Sequence, residues 1–184
     1  MRTAAERRHV LPYSAAVNDM TVRRARTNDV PAIRRLLDHY AAERILLDKP
    51  TVTLFEDIQE FWVAEQDSDA SLAGCGALHV MWRDLAEVRT IAVAPEFRGR
   101  GVGHAILEKL LATAGWLGVR RVFCLTFETR FFATHGFTEL VESGVDPSVA
   151  EELLRSADEG IAEFLDLERV KPNTLGNTRM LKLL

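Results

Sequence analysis

The chain has 184 residues, of which 47% are hydrophobic and 27% are charged, proportions that are ordinary for a globular domain. Its formal net charge of −4 argues against a protein that binds nucleic acid mainly by attracting phosphate. No apolar run has the length of a membrane span, and the N-terminal arginines are not followed by the apolar core of a signal peptide. We therefore expect a cytoplasmic protein without a nucleic-acid or membrane partner.

Residues 1–19 are expected to form a flexible tail, with Met20 as an alternative start, and residues 20–184 a single domain. Cys75 and Cys124 each lie in an apolar run that is typical of a strand, so both are expected to be buried and reduced. No cysteines and histidines have the spacing of a zinc site. No metal is expected.

The first half of the chain combines helical periodicity, which follows the capping sequence Thr27-Asn-Asp-Val-Pro31, with apolar runs separated by a polar turn. The predicted elements are a strand at 21–26, a helix from 27 to about 45, a short helix at 54–60, and hairpin strands at 61–65 and 72–82.

The second half alternates strand and helix patterns, and Gly118 and Gly136 are placed to end helices. The predicted elements are a strand at 87–94, a helix from 102 to about 117, a strand at 121–127, helical turns at 129–135, an extended segment at 137–141, a helix at 146–159, and strands at 161–167 and 179–184. Strand, helix and parallel strand form a right-handed βαβ unit. We predict an α/β sandwich with a mixed, mostly antiparallel sheet flanked by helices.

The most informative segment is an apolar strand that leads into the loop Arg98-Gly-Arg-Gly-Val-Gly103 and then into a helix. Glycines allow backbone N–H groups to approach phosphate oxygens, and a helix N-terminus favours negative charge. The glycine spacing does not match the dinucleotide fingerprint, and the lysine of a P-loop is absent. The loop therefore predicts a pyrophosphate site of another kind.

Arg98-x-x-Gly101-x-Gly103 resembles the acetyl-CoA signature of the GCN5-related N-acetyltransferases (GNAT), and Gly136-Phe137 is similar to the pair that closes the CoA-binding half of that family. The chain from 21 to 184 further resembles the short, kinase-free amino-acid N-acetyltransferases, or N-acetylglutamate synthases, of actinobacterial type. The segments that carry this resemblance are 45–50, 74–79, 84–93, 122–126 and 163–180. It implies acetyl-CoA as donor, L-glutamate or L-glutamine as acceptor, and the first step of arginine biosynthesis. Homodimers are common in the superfamily, and a homodimer is an open expectation.

The implied reaction is attack of an amine on a thioester, and it needs a base because α-amino groups titrate near or above ~8. Glu87 is the candidate base, since it matches the position of the glutamate base in the histone-acetylating branch of the superfamily. The alternative is a glutamate paired with Arg89 or Arg83. His79 is a rival base, although a histidine in an apolar strand is more often a hydrogen-bonded core residue.

The resemblance implies that the backbone of Ile91, Ala92 and Val93 binds the pantetheine arm and supplies an oxyanion donor, with the strand splaying after Val93. The tyrosine that many members use as general acid is replaced by Phe132, which is expected to line the pantetheine or to belong to the core. The residues expected to hold the diphosphate are Arg98, Gly99, Arg100, Gly101, Val102 and Gly103.

An amino-acid acceptor also brings a carboxylate, which requires a cation. Lys49 and Arg89 are the first candidates. A second group of candidates consists of Thr126, Asn177, Thr178 and Arg179. Regular alternation would place Glu87, Arg89 and Ile91 on one face of their strand, which fits a shared site and fits an ion pair equally well.

Two other functions stay open at this point. The acceptor could be a protein N-terminus, a polyamine or an antibiotic, and an acidic cleft would favour the polyamine. The chain could also be a non-catalytic acyl-CoA sensor, which would bind acetyl-CoA without releasing thiol.

Overall fold

The computed structural model describes residues 19–42, 50–142, 144–156, 158–165 and 176–184. The predicted N-terminal tail lies outside these ranges. The strands within them are β1 Met20–Arg24, β2 Phe61–Gln66, β3 Leu72–Trp82, β4 Leu85–Val93, β5 Arg121–Thr126, β6 Thr138–Glu139 and β7 Thr178–Leu183. The α-helices are α1 Val30–Ala42, α2 Thr51–Glu56, α3 Val102–Leu117, α4 Thr129–Thr134, α5 Pro147–Leu153 and α6 Glu159–Phe164.

The strands form one sheet in the order β1-β2-β3-β4-β5-β7-β6. The β4–β5 pair is parallel and the other neighbouring pairs are antiparallel. Helix α3 connects the two parallel strands, as the predicted βαβ unit requires. The predicted α/β sandwich with a mixed, mostly antiparallel sheet is therefore confirmed.

Strands β4 and β5 separate early and leave a gap between them. They pair over Leu85–Glu87 and Arg121–Phe123, whereas β4 stays paired with β3 as far as Val93 and β5 follows β7 along its full length. The prediction that the strand splays after Val93 is wrong in its position, because each strand keeps its antiparallel partner and the parallel pair opens after Glu87. The gap therefore has the second half of β4 as one wall.

A β-bulge divides β4 at Thr90. Between Ala77 and Cys75 the partner strand β3 advances by two residues while β4 advances by three, from Arg89 to Ala92, and Thr90 has a φ of 63°. A bulge of this kind reverses the alternation beyond it. A Cβ added to Gly76 would lie 2.8 Å from Ile106 Cγ2 of α3 and 3.1 Å from Ile91 Cγ1, so Ile91 faces α3.

The bulge corrects one prediction about the site. Leu85 belongs to the apolar cluster beneath α5 and α6, and Glu87 and Arg89 follow it on that face. Ile91 lies on the opposite face, so the expectation that all three of Glu87, Arg89 and Ile91 share a face is wrong for Ile91. The extra residue at Thr90 is the physical reason.

The apolar cluster beneath α5 and α6 is centred on Phe123, whose ring meets that of Phe164 edge-on at 5.3 Å between centroids. Ile161 and Phe164 are both buried. Residues three apart share one face of a helix but lie on opposite faces of a strand, and this explains why the predicted strand at 161–167 is wrong over its described part. The predicted helix at 146–159 is also wrong as one element, since α5 ends at Leu153 and α6 begins at Glu159.

Cys75 and Cys124 are both free and buried, as predicted. Burial raises the pKa of the Cys75 thiol to about 12, so this thiol is not a nucleophile at neutral pH. None of the helices in the described ranges has the length and apolarity to cross a bilayer.

Candidate active site

The glycine loop joins β4 to α3 through a short 3-10 turn at Pro95–Phe97, which the buried ring of Phe97 anchors. Gly99 and Gly101 follow with φ values of 75° and 80°, a left-handed conformation that favours glycine. The first helical hydrogen bond of α3 runs from Ala105 N–H to Gly101 C=O at 3.0 Å. The N–H groups of the preceding helical residues therefore have no acceptor within the helix and can face an anion.

Gly103 leaves the first turn of α3 without a side chain. Its φ is not in the left-handed region, and an added Cβ would make ordinary contacts with Phe131 at 3.5 Å and with Val93 at 3.6 Å. Packing among the described residues thus does not require glycine here. A phosphate group held against the helix backbone would require it.

Arg98 connects the glycine loop to helix α1. Its Nε and Nη2 donate to the hydroxyl oxygen of Tyr40 at 3.2 and 2.9 Å, and the guanidinium lies 5.3 Å from the ring centroid. The Tyr40 hydroxyl donates in turn to the carbonyl of Val93. Arg100 lies over the Phe97 ring at 5.3 Å. Tyr40 is absent from the predicted site residues, because it is one of several residues on the apolar face of α1 and its spacing gives no sign of the hydroxyl contact.

The backbone of β4 beyond the bulge faces the gap at Val93. Ala94 N–H donates to Ala73 C=O on β3 at 2.9 Å, so the amide of the adjacent Val93 points away from β3. Ala92 has its register partner Cys75 on β3 and points towards that strand. Of these two predicted backbone contacts, Val93 is the one whose N–H opens into the gap.

A cluster of charged side chains lies on the face of β4 before the bulge. Glu87 Oε2 is 3.2 Å from Arg89 Nε, and Arg89 Nη1 donates to Asp158 Oδ2 at 3.1 Å. His79 is the cross-strand neighbour of Glu87, and its Nε2 lies 3.7 Å from the same Asp158 oxygen while its Nδ1 lies 2.6 Å from Glu60 Oε1. We call Glu60, His79, Glu87, Arg89 and Asp158 the charged cluster.

The charged cluster carries a net negative charge. Counted by formal charge, its three carboxylates face one guanidinium and one imidazole, which gives a sum of −1 with the imidazole counted as positive. Burial by itself would raise the pKa of the Asp158 carboxyl, but the charges of Arg89 and His79 and the hydrogen bonds that Asp158 accepts outweigh burial and hold that pKa below its usual value. Such a surface favours an ammonium group.

The two candidate bases, Glu87 and His79, have different surroundings. The side chain of Glu87 is 9% exposed and pairs with Arg89. Glu87 also stands where the β4–β5 pairing ends, so it combines the predicted ion pair with a position at the mouth of the gap. Both ring nitrogens of His79 face carboxylates. His79 is therefore the less suitable proton acceptor.

Residues 57–139 match the family described as an acetyltransferase (GNAT) domain. The amino-acid acetyltransferase of Mycobacterium tuberculosis H37Rv is 59% identical over 164 residues, which cover 89% of this chain and 94% of that protein. This chain belongs to the GNAT amino-acid acetyltransferases. The amino-acid acetyltransferase of Neisseria meningitidis serogroup B is 32% identical over 120 residues, 64% of this chain but 27% of that longer protein.

Two solved structures of related proteins are similar to the fold of this chain. Rv2747 of M. tuberculosis, crystallised in complex with CoA and a second ligand, is 59% identical with a TM-score of 0.84 over 89% of this chain and 98% of that one. The N-acetylglutamate synthase of Neisseria gonorrhoeae, complexed with CoA and N-acetyl-glutamate, has a TM-score of 0.72 over 90% of this chain and 35% of that one. At 24% identity the second likeness concerns the fold.

The residues of this amino-acid acetyltransferase fit a CoA thioester. The open N–H groups at the start of α3 can hold a diphosphate, and the outward amide of Val93, beside the bare backbone of Gly103, can hold a pantetheine arm. Across the described ranges no group of three or more His, Cys, Asp or Glu side chains is arranged to hold a metal ion.

The second group of predicted acceptor residues is divided between the two faces of the sheet. Arg179 pairs with Leu125, which packs in the apolar cluster beneath α5 and α6, so it lies on the face of Glu87. Thr126 pairs with Thr178 and falls on the α3 face by alternation, and its hydroxyl accepts the Glu128 N–H at 2.9 Å. Asn177 is partly buried at the start of β7, and Lys49 lies outside the described residues.

Phe132 is buried, with its ring edge-on to those of Phe131 and Phe137 at 5.1 Å in each case. Phe131 lies nearer the glycine loop, with its ring 4.9 Å from that of His104. Sequence analysis named Phe132 because of its position in the family motif. Consecutive helical residues point about 100° apart, so α4 turns one phenylalanine to the core and the other towards α3.

Proposed function

We propose that this enzyme transfers the acetyl group of acetyl-CoA to the α-amino group of L-glutamate or L-glutamine, the first step of arginine biosynthesis. The observation that supports it most is the charged cluster, because it carries a buried carboxylate at the point where β4 and β5 part. One strand thereby has an ammonium-binding face before Thr90 and a cofactor-facing backbone after it.

Acetyl-CoA, when bound, supplies an activated carbonyl carbon with a thiolate leaving group. The N–H groups at the start of α3 and the loop glycines hold the diphosphate, with the positive charges of Arg98 and Arg100 nearby. The amide of Val93, with that of Ile91, binds the pantetheine arm and donates to the carbonyl oxygen as negative charge develops there.

Glu87 is the proposed base. The acceptor's ammonium group approaches the negative charged cluster and gives a proton to the Glu87 carboxylate, directly or through a water. The neutral nitrogen then bonds to the carbonyl carbon, the carbon–sulfur bond breaks, and the nitrogen releases its second proton through water to the departing thiolate. Phe132 cannot protonate the departing thiolate, but a thiol with a pKa near ~8.5 does not require a strong acid.

The acceptor's carboxylate requires a cation on the same face. Arg179 satisfies this by its position on β7, and Arg89 contributes its Nη2, since its Nε and Nη1 already face Glu87 and Asp158. Lys49 stays a prediction.

The decisive experiment measures thiol release from acetyl-CoA with each of the twenty amino acids, together with identification of the N-acetyl product. Release with glutamate or glutamine well above the other amino acids supports the proposal. Inactivity with both contradicts it. Peptides with free N-termini, polyamines and aminoglycosides form the second arm, and acetyl-CoA binding without release from any amine would identify a sensor.

A polyamine is the second candidate acceptor, because the charged cluster is net negative. A polyamine lacks the carboxylate that Arg179 and Arg89 would bind. A ratio of kcat/KM that favours spermidine over glutamate and glutamine would select it. Cytoplasmic location and a homodimer remain part of the proposal, and light scattering on the purified chain tests the latter.

A further inference from the structure

Helix α6 begins directly over the carboxylate of Glu87. A Cβ added to Gly160 would lie 2.1 Å from Glu87 Oε2 and 2.9 Å from its Cδ, distances that no side chain can adopt. Gly160 is not in the left-handed region, so an added side chain would conflict with the Glu87 carboxylate rather than with the backbone angle, and that carboxylate would have to shift. A residue without a side chain allows the helix to lie against this carboxylate.

Asp158 joins the start of α6 to the two central strands. Its Oδ1 accepts the Ile161 N–H at 3.2 Å, which caps the helix. Its Oδ2 accepts from Arg89 Nη1 at 3.1 Å and lies 3.7 Å from His79 Nε2. One carboxylate therefore fixes α6 relative to both β3 and β4.

Arg89 transmits this restraint to Glu87. A guanidinium is a rigid plane, so fixing Nη1 also fixes the position of Nε, which lies 3.2 Å from Glu87 Oε2 in an ion pair without hydrogen-bond geometry. Gly160 lies against the same carboxylate oxygen, Glu87 Oε2. Asp158 lies 71 residues beyond Glu87 in the chain, and neither it nor Gly160 belongs to the acetyl-CoA motif.

We propose that Asp158 and Gly160 are positioning residues that hold the carboxylate of Glu87 towards the acceptor amine, Asp158 acting through Arg89. This inference rests on the proposed function, since Glu87 is its base. A purely structural role for the same contacts would alter stability and leave the chemical step unchanged.

The test compares Asp158→Asn, Asp158→Glu and Gly160→Ala with a matched control, Asp146→Asn. Asp146 caps α5 by accepting the Ser148 N–H at 2.9 Å, but it is exposed and does not belong to the charged cluster. With saturating acceptor, Asp158→Asn and Gly160→Ala should each lower kcat about tenfold or more, while the KM for acetyl-CoA stays within about twofold. Asp158→Glu should recover part of the loss, and Asp146→Asn should keep the wild-type kcat.

A kcat within about twofold of wild type in both variants, measured well below their melting temperatures, would overturn the inference. Crystal structures of the two variants give a readout independent of turnover. The inference expects the Glu87 carboxylate to move from its wild-type position, and an unmoved carboxylate beside Arg89 would overturn it. A wild-type protein that is inactive with every amine would contradict the proposed function instead, and the variant structures would still test the positioning.

Discussion

The guanidinium of Arg98 lies over the ring of Tyr40 and donates two hydrogen bonds to its hydroxyl. The signature arginine of the glycine loop is therefore held by a residue of α1, 58 positions earlier in the chain. Through the Tyr40 hydroxyl the same contact reaches the Val93 carbonyl, so three parts of the cofactor-facing surface are fixed together.

Tyr40→Phe should raise the KM for acetyl-CoA more than that for the acceptor. It keeps the ring beneath Arg98 but removes the hydroxyl that positions both Arg98 and Val93, at a cost of about 1 kcal/mol or roughly fivefold in KM. Steady-state kinetics with either substrate varied measures the effect. The control is Asp38→Asn on the same helix, which removes a surface ion pair with Arg34. Equal increases in both KM values would count against this role.

Glu87→Gln should lower kcat by about two orders of magnitude or more at neutral pH, because the amide cannot accept the ammonium proton. The rate of the variant should rise more steeply than that of wild type at high pH, where more acceptor is already deprotonated. Rates measured between pH 6 and 10 test this. Glu108→Gln on the exposed side of α3 is the control, and an unchanged profile in Glu87→Gln would remove Glu87 as base.

Arg89→Ala should destabilise the fold by about 3 kcal/mol, because it leaves the carboxylates of Glu87 and Asp158 without their shared cation. Arg89→Lys restores the positive charge but not the planar guanidinium, so it should recover the lost stability to a greater extent than the lost acceptor binding. Urea unfolding and the acceptor KM measure the two effects. Arg155→Ala removes an exposed pair with Glu152 and serves as control. Loss of acetyl-CoA binding to the same extent would assign Arg89 to the other substrate.

Gly101→Ala should weaken acetyl-CoA binding and cost about 1–2 kcal/mol of stability, since an L side chain is strained at a φ of 80°. Gly115→Ala makes the same substitution within α3, where an added Cβ meets nothing within 4 Å, and should stabilise the protein by up to about 1 kcal/mol. Thermal unfolding of the two variants should thus shift in opposite directions. Destabilisation by both would point to the helix rather than to the loop angle.

Asp29 should contribute to stability at neutral pH but not in acid. The hydrogen bonds from Arg23 hold the pKa of this carboxyl below its usual value despite partial burial. A carboxyl with a depressed folded-state pKa stabilises the fold above its unfolded pKa of about 3.9, and the contribution disappears as the pH falls through the folded value. Asp29→Asn should lose about 1–2 kcal/mol at pH 7 and much less near pH 2. An equal loss at both pH values would contradict the linkage.

The parts of the fold that sequence analysis predicted depend on local signals. The glycine loop, the hairpin from Phe61 and the C-terminal glycine of α3 at Gly118 are each specified by a few adjacent residues. The parts that it missed depend on distant partners. Asp158 contacts Arg89, which lies 69 residues earlier in the chain. Position 90 is a threonine and not a glycine, so nothing in the sequence indicates its positive φ. Ile161 to Phe164 is apolar enough for a strand, and its helical form depends on the core around Phe123.

The extra residue at Thr90 makes β4 two short strands of opposite phase joined end to end. In a chain one residue shorter there, Ala92 and Val93 would keep their partners Cys75 and Gly74 on β3, and each residue beyond the deletion would keep its face. The amide that opens into the gap would still point away from β3, and Glu87 and Arg89 would keep their places. The deletion would remove the local bend and the stronger twist that a bulge imposes, so Thr90 sets the angle between the two halves of β4 and not the residues that each half presents.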